Sequence, residues 1–127
     1  CASTTSNCCS RSAPSHSSLL KPAALRLAEK LAGVAVRAPG IPVLHNVDVR
    51  QSTTAEGVRE ALARQAASPV RWVETIQAFA ARGVTHVVEC GPGRVLAGLN
   101  KRIARELKSF ALTDGADIDA TRAALAG

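Results

Sequence analysis

From Ala13 onward the chain alternates helical and extended signals at short intervals, and Pro, Gly or a capping residue marks each boundary. Leu20, Ala24, Leu27 and Leu31 recur at spacings of four, three and four, which predicts a helix over about Ser18 to Ala32 with Gly33 as a left-handed stop. Pro22 fits because it falls in the first turn. An extended Val34 to Val36 leads through Pro39-Gly40 to a strand over Ile41 to Val47, which ends in the turn-forming Asn46 and Asp48. Thr53-x-x-Glu56 has the form of a capping box for a helix to about Ala66. Ser68-Pro69 opens another helix at once, with Trp72, Ile76 and Phe79 on its apolar stripe as far as Gly83. Val84 to Cys90 is a β-branched run of the kind found in buried strands. After Gly91-Pro92-Gly93 come a helix from Arg94 to about Leu107, a short strand from Ser109 to Leu112 and a weak helix from Asp117 to Ala126. Strands separated by helices of this length imply an α/β fold, an open and mainly parallel sheet covered by helices.

Residues 1–12 follow a different rule. They are rich in Cys, Ser and Thr and carry neither a period of 2 nor one of 3.6, so they are expected to be an unstructured or non-native junction ahead of a domain over 13–127. A chain of 127 residues with 46% hydrophobic side chains buries about two thirds of its unfolded surface, enough for a core without disulfides. Charges interrupt each apolar run short of the roughly 18 residues of a spanning helix, which argues against a membrane segment. Cys1, Cys8 and Cys9 cluster at the start and Cys90 lies alone, with no C-x-x-C pair and no zinc-type His spacing. No metal is implied, and the cysteine usage fits a reducing, cytoplasmic compartment. The chain has no methionine, the mark expected of a missing first half.

The net charge of +6 suits a polyanionic partner. Nucleic acid is a poor match, because no aromatic side chains interleave with the basic ones. On the helix after Gly93, Val95, Leu99, Ile103 and Leu107 are expected toward the core, with Arg94, Lys101, Arg105 and Lys108 on another face. That basic stripe reads as a solvated face with cations placed well for the helix C-terminus, or as a docking surface for an acidic partner. Gly91-x-Gly93 sits between strand and helix, where phosphate can bind to backbone amides. The dinucleotide fingerprint fails at Leu96 and no Gly-Lys-Ser/Thr follows, so the glycines read as a structural turn. His86 lies inside a β-branched run and reads as packed, while His45 is either packed or site-lining. His16 lies in Pro14-Ser15-His16 just before a helix, where proline stiffens the approach and its ring can be held at the mouth of the sheet.

Five blocks then carry a family resemblance. Pro14-Ser15-His16 is followed by Leu20-Lys21-Pro22-Ala23-Ala24, and Pro42-Val43 by Asn46-Val47-Asp48-Val49. Arg64-Gln65 precedes Ser68-Pro69-Val70 and Trp72, and Glu89 precedes Gly91-Pro92-Gly93, Val95-Leu96, Gly98-Leu99 and Lys101-Arg102. In order and spacing they resemble the C-terminal part of malonyl-CoA:acyl carrier protein transacylase, over about Ala13 to Ala124. The resemblance implies part of the large, α/β-hydrolase-like subdomain of an acyltransferase, with the ferredoxin-like subdomain and the first half absent. It implies transfer of a malonyl group from malonyl-CoA to the phosphopantetheine thiol of acyl carrier protein in fatty acid synthesis, through an acyl-serine. Malonyl-CoA is then a substrate, and no cofactor is called for. His16 matches the family's general base, and Gln65 matches the residue whose backbone carbonyl orients that imidazole. Lys101 and Arg105 become candidates for docking the carrier protein. The chain contains no Gly-x-Ser-x-Gly elbow, so it is expected to carry the base without the nucleophile and to be inactive alone. Neighbouring readings are an acyltransferase fragment of a polyketide synthase, which Ser15 does not decide, and a noncatalytic module that docks acyl carrier protein.

Overall fold

The computed structural model describes residues 18–91 and 93–126. His16, Ser15 and the segment 1–12 lie outside the described residues, as does Pro92. The chain divides into two units, Cys1–Arg71 and Trp72–Gly127.

In the first unit a single 3₁₀ turn, Ser18–Leu20, leads into α1, Lys21–Ala32, with Pro22 at its start. Gly33 is not the left-handed stop expected of it. Its φ is −90°, and its amide closes the helix by donating to the Lys30 carbonyl at 3.2 Å, a right-handed turn that needs no positive φ. Val34 to Val36 joins no sheet. The expected strand over Ile41–Val47 shrinks to β1, Leu44–His45, which pairs antiparallel with β2, Arg50–Gln51. Pro42 supplies no amide to a ladder, and the Asn46–Asp48 turn reverses the chain at once. Among the described residues this short ladder is antiparallel, while the other strand pair is parallel, as in the mainly parallel sheet expected.

Helix α2, Ala55–Ala66, begins one residue later than its apparent capping box. Thr54, not Thr53, is the N-cap: its backbone is extended (φ −120°, ψ 156°) and its hydroxyl accepts from the Gly57 amide at 3.1 Å. A Cβ at residue 57 would stand 3.2 Å from that hydroxyl, so glycine lets the cap seat. Glu56 instead pairs with Arg59 at 3.3 Å. Arg59 also fastens α2 to α1, its Nε donating to the Leu31 carbonyl at 3.1 Å and its Nη2 to Val34 at 2.9 Å. The guanidinium adds a charged donor to the Leu31 carbonyl, which also receives the Val34 amide at 3.2 Å, at the negative end of α1.

The second unit begins with α3, Trp72–Ala81, three residues later than Ser68-Pro69 suggested. The Arg71 amide, which an earlier start would draw into the helix, donates to the Asn46 carbonyl at 2.9 Å. Gly83 ends the α3 segment at φ +76°, with the Val84 amide reaching back to the Phe79 carbonyl at 3.1 Å. Strand β3, His86–Cys90, then pairs in parallel with β4, Lys108–Leu112, in the register Val88 to Phe110, and α4, Val95–Ile103, is the crossover between them. This β3–α4–β4 unit is the part of the expected α/β sheet that forms. Helix α5, Gly115–Ala126, starts before the expected Asp117 because Asp114 caps it, accepting from the Asp117 amide at 2.9 Å.

Ile76 (fully buried), Ala104 and Leu107 form the core of this unit, with Trp72, Phe79, Val84, Val87 and Ile103 packed against them. Burial of Ile76 stabilises by about 1.5–3 kcal/mol. The expected inward stripe of α4 is corrected: Val95 is 72% exposed, while Ala97 and Asn100 face inward. Leu107 reaches the core from the loop, because the chain turns extended at Ala104 (φ −141°, ψ 97°) and α4 stops at Ile103. Asn100 is buried without penalty, its Oδ1 accepting from the Trp72 indole at 3.0 Å. Large apolar side chains also lie on the surface, among them Leu19, Leu25, Ile41 and Val95, and α1 has no buried residue. Among the described residues no helix is long and apolar enough to cross a membrane.

Candidate functional site

Of the expected site residues, Gln65 is the one the structure places in a cavity of the first unit. It sits half-buried in the last turn of α2 and, with Asn46, Val47, Ser68, Pro69 and Val70, lines a cavity of about 180 Å³. Two sequence blocks some twenty residues apart, Asn46–Val49 and Gln65–Val70, are thereby brought to one place. An ion pair joins them: Arg64 Nη2 donates to Asp48 Oδ2 at 2.7 Å, and the Arg50 amide donates to Asp48 Oδ1 at 3.1 Å. Partial burial pushes the Asp48 carboxyl up, but the Arg64 hydrogen bond, the Arg50 amide and the charges of Arg64 and His45 together hold it below its usual range.

His45 on β1 is buried, and its Nε2 meets no hydrogen-bond partner among the described residues. His86 is the packed strand residue the sequence suggested. Its ring stacks on Phe110 with centroids 6.0 Å apart, and its Nδ1 lies 2.8 Å from the Thr85 hydroxyl. Among the described residues no group of three His, Cys, Asp or Glu side chains comes together as a metal site.

The Gly91-x-Gly93 turn is structural, as expected, for a reason that spacing alone does not reveal. Glu89 of β3 receives the first amides of α4, Leu96 at 3.3 Å and Ala97 at 2.9 Å, so an internal carboxylate already occupies the positive end of the helix. A phosphate would have to displace it.

The basic residues do not form one helix face. Because α4 stops at Ile103, Lys101 is exposed in its last turn, Arg105 is exposed in the following turn and Lys108 opens β4. Arg94 is engaged with Asp117, at 2.9 and 3.0 Å to its two oxygens. The hydroxyl and amide of Thr113 donate to the same carboxylate, and these bonds, the hydroxyl first, with Arg94 hold Asp117 below the usual carboxylate range. A depressed folded-state pKa contributes stability that is complete above the unfolded value of about 3.9 and is lost as pH falls through the folded value. The urea midpoint followed by the fluorescence of Trp72, the one tryptophan, is therefore expected to drop below about pH 4, and to drop less steeply in Asp117→Asn. Equal acid slopes in the two proteins would remove Asp117 from the account.

No family model matches the chain. It is 48% identical over 109 residues to malonyl CoA-acyl carrier protein transacylase of Salmonella typhimurium, covering 86% of this chain and 35% of that enzyme. The enzyme of the same name from Bacillus subtilis strain 168 is 42% identical over 108 residues, covering 85% and 34%. The crystal structure of the acyl-carrier-protein S-malonyltransferase of Burkholderia pseudomallei superposes with a TM-score of 0.81 at 55% identity, over 86% of this chain and 36% of that one. The chain is homologous to one third of a malonyl CoA-acyl carrier protein transacylase. It thus spans about a third of the length of the curated relatives it matches. A further neighbour of the same fold, at TM-score 0.81 and 46% identity over 88% of this chain and 36% of that one, is a malonyl-transacylase in complex with a type II polyketide acyl carrier protein.

Against the transacylases, this chain contributes a small parallel α/β sheet and the cavity around Gln65, and carries no Gly-x-Ser-x-Gly sequence. Sequence reasoning picked out Gln65 but not Asp48, Arg64 or Glu89 as structural partners. A signal existed for Asp48 in the turn sequence Asn46-Val47-Asp48, but its partner sixteen residues away carried none.

Proposed function

We propose that this chain is the base-bearing part of a malonyl-CoA:acyl carrier protein transacylase acting in the cytoplasm, and that it belongs to the large, α/β-hydrolase-like subdomain of that enzyme. Sequence identity to enzymes of that name, extending over most of the chain, carries the proposal. In the first half-reaction the hydroxyl of a serine outside this chain attacks the thioester carbonyl of malonyl-CoA while His16 takes its proton. Collapse of the tetrahedral intermediate breaks the C–S bond, and the protonated imidazole returns the proton to the departing coenzyme A thiolate. The second half-reaction runs the same steps with the phosphopantetheine thiol of acyl carrier protein as nucleophile. The Gln65 backbone carbonyl accepts a hydrogen bond from the other imidazole nitrogen and fixes its tautomer. Its place in the last turn of α2, beside the cavity, supports that role. Exposed Lys101 and Arg105 dock the carrier protein.

A full-length protein bearing this chain is expected to gain the mass of one malonyl group from malonyl-CoA and to pass it to holo-acyl carrier protein. The second step should slow as ionic strength rises, and should slow further in Lys101→Glu and Arg105→Glu. Absence of an adduct overturns the assignment, while salt-independent transfer overturns only the docking residues.

A further inference from the structure

The turn between β1 and β2 is fastened to the end of α2 and to the segment after it by two hydrogen bonds. Arg64, the residue before Gln65, donates to Asp48 Oδ2 at 2.7 Å, and the Arg71 amide donates to the Asn46 carbonyl at 2.9 Å. The segment from the last turn of α2 to the end of the first unit is thus tied at both ends to one four-residue turn. The turn is itself held in a costly shape. Val49 has φ +57°, a left-handed conformation that costs a β-branched residue roughly 1–2 kcal/mol. It persists because its amide donates to the His45 carbonyl at 2.9 Å and the next amide, of Arg50, donates to Asp48 Oδ1 at 3.1 Å. Asp48 therefore bonds in two directions, inward to shape the turn and outward to hold α2. The cavity beside Gln65 lies between these ties, lined from one side by Asn46 and Val47 and from the other by Ser68, Pro69 and Val70.

The geometry points to Asp48 as a positioning residue for the transacylase reaction: through Arg64 it fixes the last turn of α2, and with it the direction of the Gln65 carbonyl that orients the His16 imidazole. This rests on the His16–Gln65 pairing proposed above. The side chains of Arg64 and Asp48 are 55% and 22% exposed, so the pair adds little to global stability and its loss registers in rate rather than in folding. A purely structural pair of this exposure would leave kcat unchanged.

The experiment measures kcat and KM in a full-length transacylase carrying this chain. Asp48→Asn keeps an oxygen for the Arg50 amide and turns an NH2 toward Arg64 in place of the charged acceptor that holds it. Its kcat is expected to fall about tenfold, within the hundredfold that a misplacement of about 1 Å can cost, with KM for malonyl-CoA unchanged. Arg64→Gln should match it, and Arg64→Lys, which keeps a cation, should retain more activity than Arg64→Gln. Glu56→Gln breaks an exposed pair at the far end of the same helix and is the control. Wild-type kcat in both Asp48→Asn and Arg64→Gln overturns the inference, as does an equal loss in Glu56→Gln. If Asp48→Asn fails to fold, the order of Arg64→Lys above Arg64→Gln decides, and equal rates for those two overturn it. Full acylation by His16→Ala would refute the His16–Gln65 pairing itself, whereas an inactive His16→Ala beside a fully active Asp48→Asn refutes Asp48 alone.

Discussion

His16→Ala in a full-length transacylase bearing this chain is expected to slow acyl-enzyme formation by about 10²–10⁴-fold, the range typical of a lost general base. The serine hydroxyl is a weak nucleophile at neutral pH, and its attack on the thioester needs its proton removed as the C–O bond forms. Alanine removes the only group proposed for that task and leaves the binding of malonyl-CoA in place. The loss should therefore fall on the single-turnover acylation rate, with KM little changed. Rapid-quench measurement of the malonyl adduct separates the two, and an unchanged acylation rate would refute His16 as the base. Gln65→Ala makes the contrast within the same site. It keeps the backbone carbonyl, so its effect should be far smaller than that of His16→Ala.

The 127-residue chain by itself is expected to transfer no malonyl group at all. It contains no Gly-x-Ser-x-Gly elbow, and a base with no nucleophile to deprotonate has no covalent pathway open to it. Losing one member of a nucleophile–base pair costs nearly as much as losing the set, on the order of 10⁶ in serine hydrolases. The measurement is transfer of labelled malonyl from malonyl-CoA to holo-acyl carrier protein at micromolar chain. Steady turnover above the rate without protein would overturn both the role of His16 and the need for a nucleophile outside these residues.

Local chemistry reached different depths along the chain. The periods of α2 and α3 were legible because each buries or half-buries one side of its helix, whereas α1 follows its period with only Ala24 and Leu31 half-buried; Gly83 was legible as a stop because its φ of +76° is cheap only for glycine. Two other local signals were ambiguous by one or a few residues. Thr53 and Thr54 are chemically equivalent caps, and only the extended backbone of Thr54, which aims its hydroxyl at the Gly57 amide, separates them. Ser68-Pro69 satisfies every local rule for a helix start, yet α3 waits until Trp72, the residue after an Arg71 amide that donates to the Asn46 carbonyl. The stripe expected on α4 failed similarly. Its outer members, Val95 and Leu107, share a helical period, but the backbone turns at Ala104 so that Leu107 enters the core from a loop.

The residues alone determined the α/β character, the approximate helices, the reading of Gly91-x-Gly93 as a structural turn and the resemblance from which roles for His16 and Gln65 are proposed. These follow from periodicity, backbone preference and residue identity at short spacing, which are local quantities. Tertiary structure decided which distant groups meet: Asp48 with Arg64, Arg59 with the end of α1, and Glu89 with the first turn of α4. Each of these is a charge meeting a charge or a backbone group across a loop, and any of the many charged side chains could have served. Only the packing of the surrounding elements selects the one that arrives within hydrogen-bond distance.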